Sequence, residues 1–147
     1  MAGPDTSLAV AFFSEILTVE QLVRNRVAKV LPRGMELSHF SVLNHLAYIA
    51  SERTPAQLAK TFHLSRGAIT NTLHKLETSG YVHIRPDWDD ARRKLVSISP
   101  SGVQARDAAL QAITPMIADA VESMGEDNVR KTVPVLRGLR GSLAEAT

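Results

Sequence analysis

The sequence predicts a mainly α-helical fold that carries one small β-hairpin, which is the α+β class. Apolar residues recur at steps of three and four in both terminal parts of the chain, which is the period of an amphipathic helix. Residues that start and stop helices divide the middle of the chain into short helices. Two alternating apolar and polar segments flank a polar loop near residue 90, which is the pattern of a hairpin. The expected order of elements is α-α-α-α-β-β-α-α.

The first two helices are predicted over residues 8–31 and 38–51. Pro32 and Gly34 separate them, because proline cannot continue a helix and glycine tolerates the turn. The apolar stripes are Phe12, Ile16, Val19, Val23, Val27 and Val30 in the first helix, and Phe40, Leu43, Leu46, Ala47 and Ala50 in the second.

The third helix has a strong start signal at residues 54–57. Thr54 can accept hydrogen bonds from free amides, Pro55 suits the first helical position, and Gln57 can reach back to complete a capping box. We expect this helix to end near residue 62.

A fourth helix is predicted to follow a turn at residues 63–64. Ser65 caps its start, the helix runs to residue 79, and Gly80 lies where a left-handed residue commonly ends a helix. Two helices joined by a turn of about three residues form a helix-turn-helix.

The hairpin is predicted from strands at residues 81–85 and 94–99, joined by a polar tip at residues 86–93. This tip is too long for the tightest two-residue turns. A helix-turn-helix followed by such a hairpin, or wing, is a winged helix-turn-helix.

Two further helices are predicted over residues 100–124 and 129–143, separated by Gly125. Pro115 and Pro134 lie inside them and predict kinks, because proline removes a helical hydrogen bond.

The composition is that of one ordinary globular chain. It has 147 residues, 44% of them hydrophobic and 22% charged. The absence of cysteine excludes disulfides, thiolate zinc sites and a thiol redox switch, and it suits a cytoplasmic location. We find no signal-peptide pattern and no apolar run that approaches the roughly 18 residues of a membrane span, so we expect no membrane partner.

Charge is concentrated in the middle of the chain. Residues 53–106 contain nine Lys or Arg against four Asp or Glu, whereas the rest contains eight against eleven. A basic middle between near-neutral or acidic flanks indicates a polyanionic partner.

The fourth helix is predicted to bury one face and to expose a polar one. Ile69, Leu73 and Leu76 form the buried stripe at about 100° per residue. The opposite face carries Gly67, Thr70, Asn71, His74 and Thr78, with Arg66 and Lys75 at its edges.

This polar face fits the chemistry of a DNA major groove, which is about 12 Å wide. Asn71 can donate to and accept from an adenine edge, His74 can contact a base or a phosphate, and the Thr70 methyl can meet a thymine methyl. Free amides at Ser65 can hold a phosphate. Because any surface helix has a polar face, this helix alone does not decide the function.

The hairpin tip makes DNA the favoured partner. Arg92 can enter the narrow minor groove, and Asp90 can hold its guanidinium in place through charge-assisted hydrogen bonds. Arg93 and Lys94 add positive charge beside them. A merely solvated loop is the alternative interpretation. We expect Trp88 to pack under the wing rather than to stack on a sugar.

These residues together resemble the MarR family of transcriptional regulators. The matching stretches are residues 37–43, 54–82 and 90–93, and residues 95–102 look like the family's strand leading into a helix-opening glycine. The resemblance is specific between about residues 37 and 102.

The resemblance implies roles for two sets of residues. Asp90 and Arg92 match the family's wing aspartate and minor-groove arginine, and residues 65–75 match its recognition helix. Ala91 departs from the pattern, because a charged residue is frequent there. The residues predicted to bind DNA are Ser65, Arg66, Thr70, Asn71, His74, Lys75, Arg85, Asp90, Arg92, Arg93 and Lys94.

The terminal helices carry more apolar positions than a small core can use, which indicates a homodimer. The residues off the main stripes are Leu17, Leu22, Leu31, Met116 and Met124. We expect residues 1–34 and 100–147 to form a dimerisation region and residues 35–99 to form the DNA-binding lobe. In the MarR family the terminal helices make the dimer, which implies an inverted-repeat operator.

The resemblance also implies a small effector, of phenolic or aromatic type, in a cleft between the dimer helices and the DNA-binding lobe. The candidate effector-binding residues are Phe12, Phe13, Arg24, His45 and Tyr48. The scattered histidines give no metal site, and we expect no cofactor.

The sequence therefore predicts a bacterial, cytoplasmic regulator that binds double-stranded DNA as a homodimer and acts as a repressor. An enzyme is disfavoured, because no phosphate loop, nucleophile elbow, HExxH motif or paired-carboxylate constellation is present. The stronger alternative is a winged-helix module that docks another protein, which would need an apolar face on the fourth helix.

Overall fold

The computed structural model describes Gly3 and residues 5–145, and it has the predicted order of elements. The elements are α1 (Thr6–Val30), α2 (Leu37–Ile49), α3 (Pro55–Phe62), α4 (Arg66–Thr78), β1 (Val82–Pro86), β2 (Lys94–Ile98), α5 (Pro100–Met124) and α6 (Glu126–Glu145). Every predicted element is confirmed. The largest difference in a boundary is at α6, which begins at residue 126 rather than 129.

The chain divides into two compact units, one through Ala112 and the other from Ile113. In the first unit α2, α3, α4 and the hairpin surround the core. Its fully buried side chains are Val42, Leu43, Leu46, Leu58, Ile69, Leu76 and Val96. The second unit contains the rest of α5 and α6. Which parts of the chain form a dimer stays a prediction.

The capping signals of the helix-turn-helix are confirmed. The Gln57 amide donates to Thr54 Oγ1 at 3.1 Å, and the Thr54 amide donates to Gln57 Oε1 at 2.9 Å. The Ala68 amide donates to Ser65 Oγ at 3.1 Å at the start of α4. Gly80, after α4, has a φ of +78°. These local contacts fix the start of α3 and both ends of α4, the helix expected to face DNA.

The two strands form an antiparallel pair with Val82 opposite Ile98 and Pro86 opposite Lys94. The linker between α2 and α3 adds a short third segment. Arg53 and Val96 exchange two main-chain hydrogen bonds, of 3.0 and 2.8 Å. The sequence analysis did not predict this bridge, which attaches the hairpin to the helices.

The start of α5 is bound to the end of α4 through Ser99. Its hydroxyl donates to the Gly80 carbonyl at 2.6 Å and accepts from the Gly102 amide at 3.0 Å. Gly102 is tightly enclosed, because a Cβ there would lie 2.1 Å from the Tyr81 carbonyl oxygen. Only glycine fits this approach of backbone to backbone.

Helix α1 is mostly exposed, since Val27 is its one buried residue. An 18-residue segment of α1 has a mean hydropathy of 1.3. By length and composition alone, α1 is long and apolar enough to cross a membrane. The expectation that no segment approaches this limit was therefore wrong. Amphipathic helices that bury an apolar face against protein meet the same criterion, so composition does not place α1 in a membrane.

Prolines inside α5 and α6 end neither helix. Pro115 lies within α5, and Pro134 lies within α6. Both helices continue through the proline because the chain on either side keeps its helical hydrogen bonding.

Candidate nucleic-acid interface

Helix α4 presents the predicted polar face. Ile69, Leu73 and Leu76 are buried, and Thr72 joins them on that side. The residues of the predicted polar face, Gly67, Thr70, Asn71, His74 and Thr78, are all exposed, and so are Arg66, Ala68, Lys75 and Glu77. A Cβ at Gly67 would meet no atom within 4 Å, so nothing in the free protein requires glycine there.

The wing tip, residues 87–93, is held by its own backbone and carboxylates. The Asp87 amide donates to the Arg93 carbonyl at 3.0 Å, and the Arg93 amide donates to the Asp90 carbonyl at 2.9 Å. The Asp89 amide donates to Asp87 Oδ1 at 2.9 Å. These bonds give the long tip a defined shape although it lies at the surface.

Asp90 orients Arg92 as predicted. Asp90 Oδ1 accepts from the Arg92 amide and from Arg92 Nε, each at 3.1 Å. The hydrogen bond from the Arg92 side chain lowers the pKa of Asp90, and the bond from the Arg92 amide lowers it further. The Arg92 side chain is 91% exposed, so its guanidinium is oriented by Asp90 and remains free to bind a partner.

The wing and the start of α4 together enclose a basic hollow of about 420 Å³. We call it the wing hollow. Its lining residues are Thr54, Pro55, Ala56, Arg66, Ile69, Thr70, Arg92, Arg93 and Lys94. Four basic side chains thus converge between two elements that the sequence separates. Two of them have acidic neighbours in the wing tip, because Arg92 pairs with Asp90 and Arg93 Nε lies 3.8 Å from Asp87 Oδ2. A smaller hollow beside it brings Thr70, His74 and Lys94 together.

Lys75 belongs to a different part of the surface. Its ammonium lies 3.9 Å from the Glu36 carboxylate, and it lines a cavity of about 330 Å³ together with Arg33, His39 and Tyr81. His39 is buried, and its Nδ1 accepts a hydrogen bond from the Glu36 amide at 3.1 Å. Burial lowers the pKa of His39, although Glu36 opposes this effect.

Arg85 was predicted to bind DNA, but its guanidinium is bound by a carboxylate of the protein itself. Its Nε and Nη2 donate to the two Glu52 carboxylate oxygens at 2.9 and 2.7 Å. The hydrogen bond with Glu52 raises the pKa of Arg85. The sequence analysis missed Glu52, because no local pattern connects residues 33 positions apart.

Trp88 does not pack under the wing, so that expectation was wrong. Its side chain is 78% exposed, and the Arg85 guanidinium carbon lies 5.3 Å from the ring centroid. The wing is too thin to cover an indole, and the buried positions of its strands are taken by Val82 and Val96.

The predicted effector-binding residues are not gathered around either hollow or the cavity. Phe12 and Phe13 contact each other edge to face at 5.6 Å, and His45 contacts Phe62 at 5.5 Å. Arg24 pairs with Glu20 on its own helix, and Tyr48 is 86% exposed.

Over Gly3 and residues 5–145, no cluster of three or more His, Cys, Asp or Glu side chains could hold a metal ion.

Comparison with known proteins finds a sequence match confined to the winged lobe. The sequence model of the MarR family matches residues 33–93, which run from the approach to α2 through the wing tip. A comparison with curated proteins finds no match.

Solved structures share the fold along nearly the whole chain. A mutant MarR from E. coli complexed with operator DNA is 22% identical, with a TM-score of 0.81 over 93% of this chain and 99% of that one. A MarR-family regulator from Rhodococcus sp. is 24% identical, with a TM-score of 0.80 over 99% of both chains. An organohalide-sensing regulator in its 2,4-dichlorophenol-bound form is 17% identical, with a TM-score of 0.86 over 100% of this chain and 90% of that one.

The sequence match and the shared fold coincide at the helix-turn-helix and wing described above. The chain has the winged helix-turn-helix fold of the MarR-family structures, and residues 33–93 match the sequence model of that family.

Proposed function

We propose that this protein is a transcriptional regulator that binds double-stranded DNA sequence-specifically as a homodimer. The observation that carries the proposal is the wing hollow, where Arg66 from α4 meets Arg92, Arg93 and Lys94 from the wing. Lys and Arg side chains that neutralise phosphates supply most of the sequence-independent affinity for DNA. The fold's likeness to a regulator solved with operator DNA supports the same partner.

In this proposal α4 enters the major groove. Its exposed Thr70, Asn71 and His74 are small or planar polar groups, which can approach base edges. The start of α4 directs free amides and the Ser65 hydroxyl toward the phosphate backbone. Asn71 would specify a base, and His74 would contact a base or a phosphate.

The wing reaches the neighbouring minor groove through Arg92. Asp90 holds the Arg92 side chain in one direction, so less conformational entropy is lost when the guanidinium binds. Arg93 and Lys94 contact the flanking phosphates. We leave Arg85 out of the DNA-binding set because Glu52 engages its guanidinium. Lys75 stays in the set as a phosphate contact at the edge of α4.

A homodimer is supported by the apolar surface of α1. Its exposed large apolar residues are Leu8, Val10, Phe12, Phe13, Leu17, Val19, Leu22, Val23 and Val30. A soluble monomer rarely exposes such a continuous apolar surface. A two-fold dimer would place two α4 helices in successive major grooves, so we propose an inverted-repeat operator. Blocking a promoter from such a site is repression, and the site of action is the bacterial cytoplasm.

We also propose that a small aromatic molecule controls binding. The support is the likeness of the fold to a regulator bound to 2,4-dichlorophenol and to a Streptomyces coelicolor regulator in complex with its natural ligand. Phe12, Phe13, Arg24, His45 and Tyr48 stay the predicted effector-binding residues, and a second copy of the chain would be needed to complete a cleft around them.

A module that docks protein is less well supported than a DNA-binding one. Its recognition face should be apolar, whereas the exposed face of α4 is made of Gly67, Thr70, Asn71 and His74. We propose no enzymatic activity for the chain.

The test starts by selecting duplexes that the protein binds from a random-sequence library. We expect an inverted repeat with half-sites about one helical turn apart. Arg92→Ala should lower affinity for the selected duplex at least tenfold, which is about 1.4 kcal/mol or more, without changing the fold. Arg130→Ala on α6 removes another exposed arginine that is paired with a carboxylate, and it is the control.

Salt dependence separates DNA binding from protein docking. The logarithm of the DNA affinity should fall linearly and steeply with the logarithm of salt concentration. No enriched duplex, or affinity that does not respond to salt or to Arg92→Ala, would contradict the proposal.

A further inference from the structure

We infer that Glu52 is a positioning residue of the wing: through Arg85 it sets the direction of the wing tip that carries Arg92. Glu52 lies in the linker between α2 and α3, and it contacts Arg85, which we left out of the proposed DNA-binding set. Its importance for DNA binding rests on the proposed function, whereas its effect on the wing tip does not.

The contact between Glu52 and Arg85 fixes orientation as well as distance. Two guanidinium nitrogens of Arg85 meet the two Glu52 oxygens at 2.9 and 2.7 Å. Two parallel hydrogen bonds hold the planar guanidinium in one direction, which a single bond cannot do. Each side chain is 36% exposed, so solvent competes only partly with the pair.

The linker holds both strands of the wing. Glu52 binds β1 through the Arg85 side chain, and the next residue, Arg53, binds β2 through its main-chain bonds to Val96. Arg85 lies opposite Leu95, one step from the last strand pair before the tip. A rotation of the wing relative to the helices would therefore have to break contacts on both strands.

The contact extends from Arg85 into the tip itself. Arg85 Nη1 donates to the Pro86 carbonyl at 3.0 Å, and the guanidinium lies over the Trp88 ring at 5.3 Å. Cation–π contact adds attraction that depends on where the guanidinium lies. Glu52 thus determines the surroundings of Trp88, two residues before Asp90.

Charge and position predict opposite effects on DNA binding. Glu52→Gln removes an acidic group near a basic face, so simple electrostatics predicts tighter binding. If Glu52 positions the wing tip, the same substitution weakens DNA binding, because Arg92 is no longer held in its DNA-binding position in the free protein. The sign of the effect therefore separates the two explanations.

The first measurement uses the free protein. Trp88 is the one tryptophan of the chain, so fluorescence excited at a wavelength that tyrosine does not absorb reports the wing tip alone. Glu52→Gln should change the emission spectrum and raise acrylamide quenching of Trp88. Glu126→Gln, which breaks another Glu–Arg pair on α6, should leave both unchanged. An unchanged spectrum and quenching in Glu52→Gln would overturn the inference whatever the protein binds.

The second measurement uses the selected duplex. We expect Glu52→Gln and Glu52→Asp each to lower affinity about threefold to tenfold, because Asp keeps the charge but cannot reach Arg85. On an Arg92→Ala background the same changes should alter affinity less than twofold. An equal loss on that background, or tighter binding of Glu52→Gln, would contradict the inference. If Arg92→Ala itself left affinity unchanged, the proposed wing contact would fail, while the fluorescence result would still decide the role of Glu52.

Discussion

At the residue scale, the wing depends on a carboxylate that holds an exposed arginine. Asp90 accepts two hydrogen bonds from Arg92, one from the main chain and one from the side chain. Such a pair adds little to folding stability because both groups are near solvent. Its value lies in limiting the directions that Arg92 can take before it binds.

Asp90→Asn should lower affinity for the selected duplex about threefold to tenfold, because the charge-assisted bond to Arg92 Nε is weakened. Asp89→Asn removes the same charge one residue earlier and should leave affinity unchanged or raise it. The pKa of Asp90 is lowered from its ordinary value of 3.8, so the carboxylate is charged at every pH above 3.8. The contribution of Asp90 to DNA affinity is lost only as the pH falls through the lowered pKa. Affinity titrations between pH 5 and 8 should show the same Asp90→Asn deficit throughout, and a deficit that grows with pH in that range would contradict this.

Gly67→Ala separates folding from recognition at one position. A Cβ there meets no atom within 4 Å in the free protein, so the change should stabilise α4 by about 0.5–1 kcal/mol. If α4 enters the major groove, the added methyl should weaken DNA binding. Thermal unfolding measures the first effect, and fluorescence anisotropy with the selected duplex measures the second. Stabilisation with unchanged affinity would place Gly67 away from DNA.

At the element scale, specific contacts fix the starts of the helices in the first unit. The contact at α2 involves a titratable histidine and depends on pH, whereas the contact at α5 lies beside an enclosed glycine and depends on the space there. The amide of Glu36, the residue before α2, donates to His39, which serves in place of the usual Glu or Gln. The start of α5 is bound by Ser99 against Gly80. Both junctions make testable predictions.

His39 should make the free energy of unfolding depend on pH. Its pKa is lowered from 6.5 in the folded protein, so as pH falls below 6.5 the unfolded chain takes up a proton first. Stability should therefore be full above pH 6.5 and decline below it, with a slope of at most about 1.4 kcal/mol per pH unit. His39→Gln keeps an acceptor for the Glu36 amide and should reduce that slope in chemical denaturation experiments. An unchanged slope would show that other groups cause it.

Gly102→Ala should destabilise the protein by about 1–3 kcal/mol, because the new methyl would lie 2.1 Å from the Tyr81 carbonyl oxygen and 2.8 Å from Ile98 Cγ1. Gly138→Ala is the matched control, since a Cβ there meets nothing within 4 Å. Chemical denaturation of both variants measures the difference. Equal stability of the two variants would contradict the enclosed position of Gly102.

The elements could be predicted from the sequence because their signals are local. The capping box at Thr54, the cap at Ser65 and the glycine at residue 80 each act within a few residues. Contacts between distant residues could not be predicted this way. The pairing of Glu52 with Arg85 depends on how the linker meets the hairpin, and the exposure of Trp88 depends on how thin the wing is.

The same distinction between local contacts and contacts of distant residues applies to the candidate site. Asp90 and Arg92 are two residues apart, and their contact follows from local geometry. The meeting of Arg66 with the wing arginines depends on the packing of the hairpin beside α4, which a single sequence does not encode in any short pattern.

At the scale of the whole molecule, the described structure is a chain with an uncovered apolar helix. Only Val27 of α1 is buried, and the exposed residues include Leu17 and Leu22. The hydrophobic effect favours covering such a surface with a second copy. The stability of the protein should then depend on its concentration.

Leu17→Glu should shift the protein from dimer toward monomer and lower its thermal midpoint, because a charge would be buried in the interface. Thr61→Glu, at an exposed position of α3, is a control for adding a negative charge outside the predicted dimerisation region. Sedimentation equilibrium measures mass, and thermal unfolding at several concentrations measures the linkage. A monomeric parent protein, or a midpoint independent of concentration, would contradict the dimer.

The bridge between Arg53 and Val96 has a consequence for the order of folding. The hairpin and the α3–α4 pair form from neighbours in sequence, whereas this bridge closes a loop that contains α3, α4 and β1. Closing a long loop costs entropy that only completed packing can offset. During refolding the hairpin should therefore form early but attach to the helices late. In partial unfolding it should detach first, so amides of Arg53 and Val96 should exchange with solvent before those of the helical core.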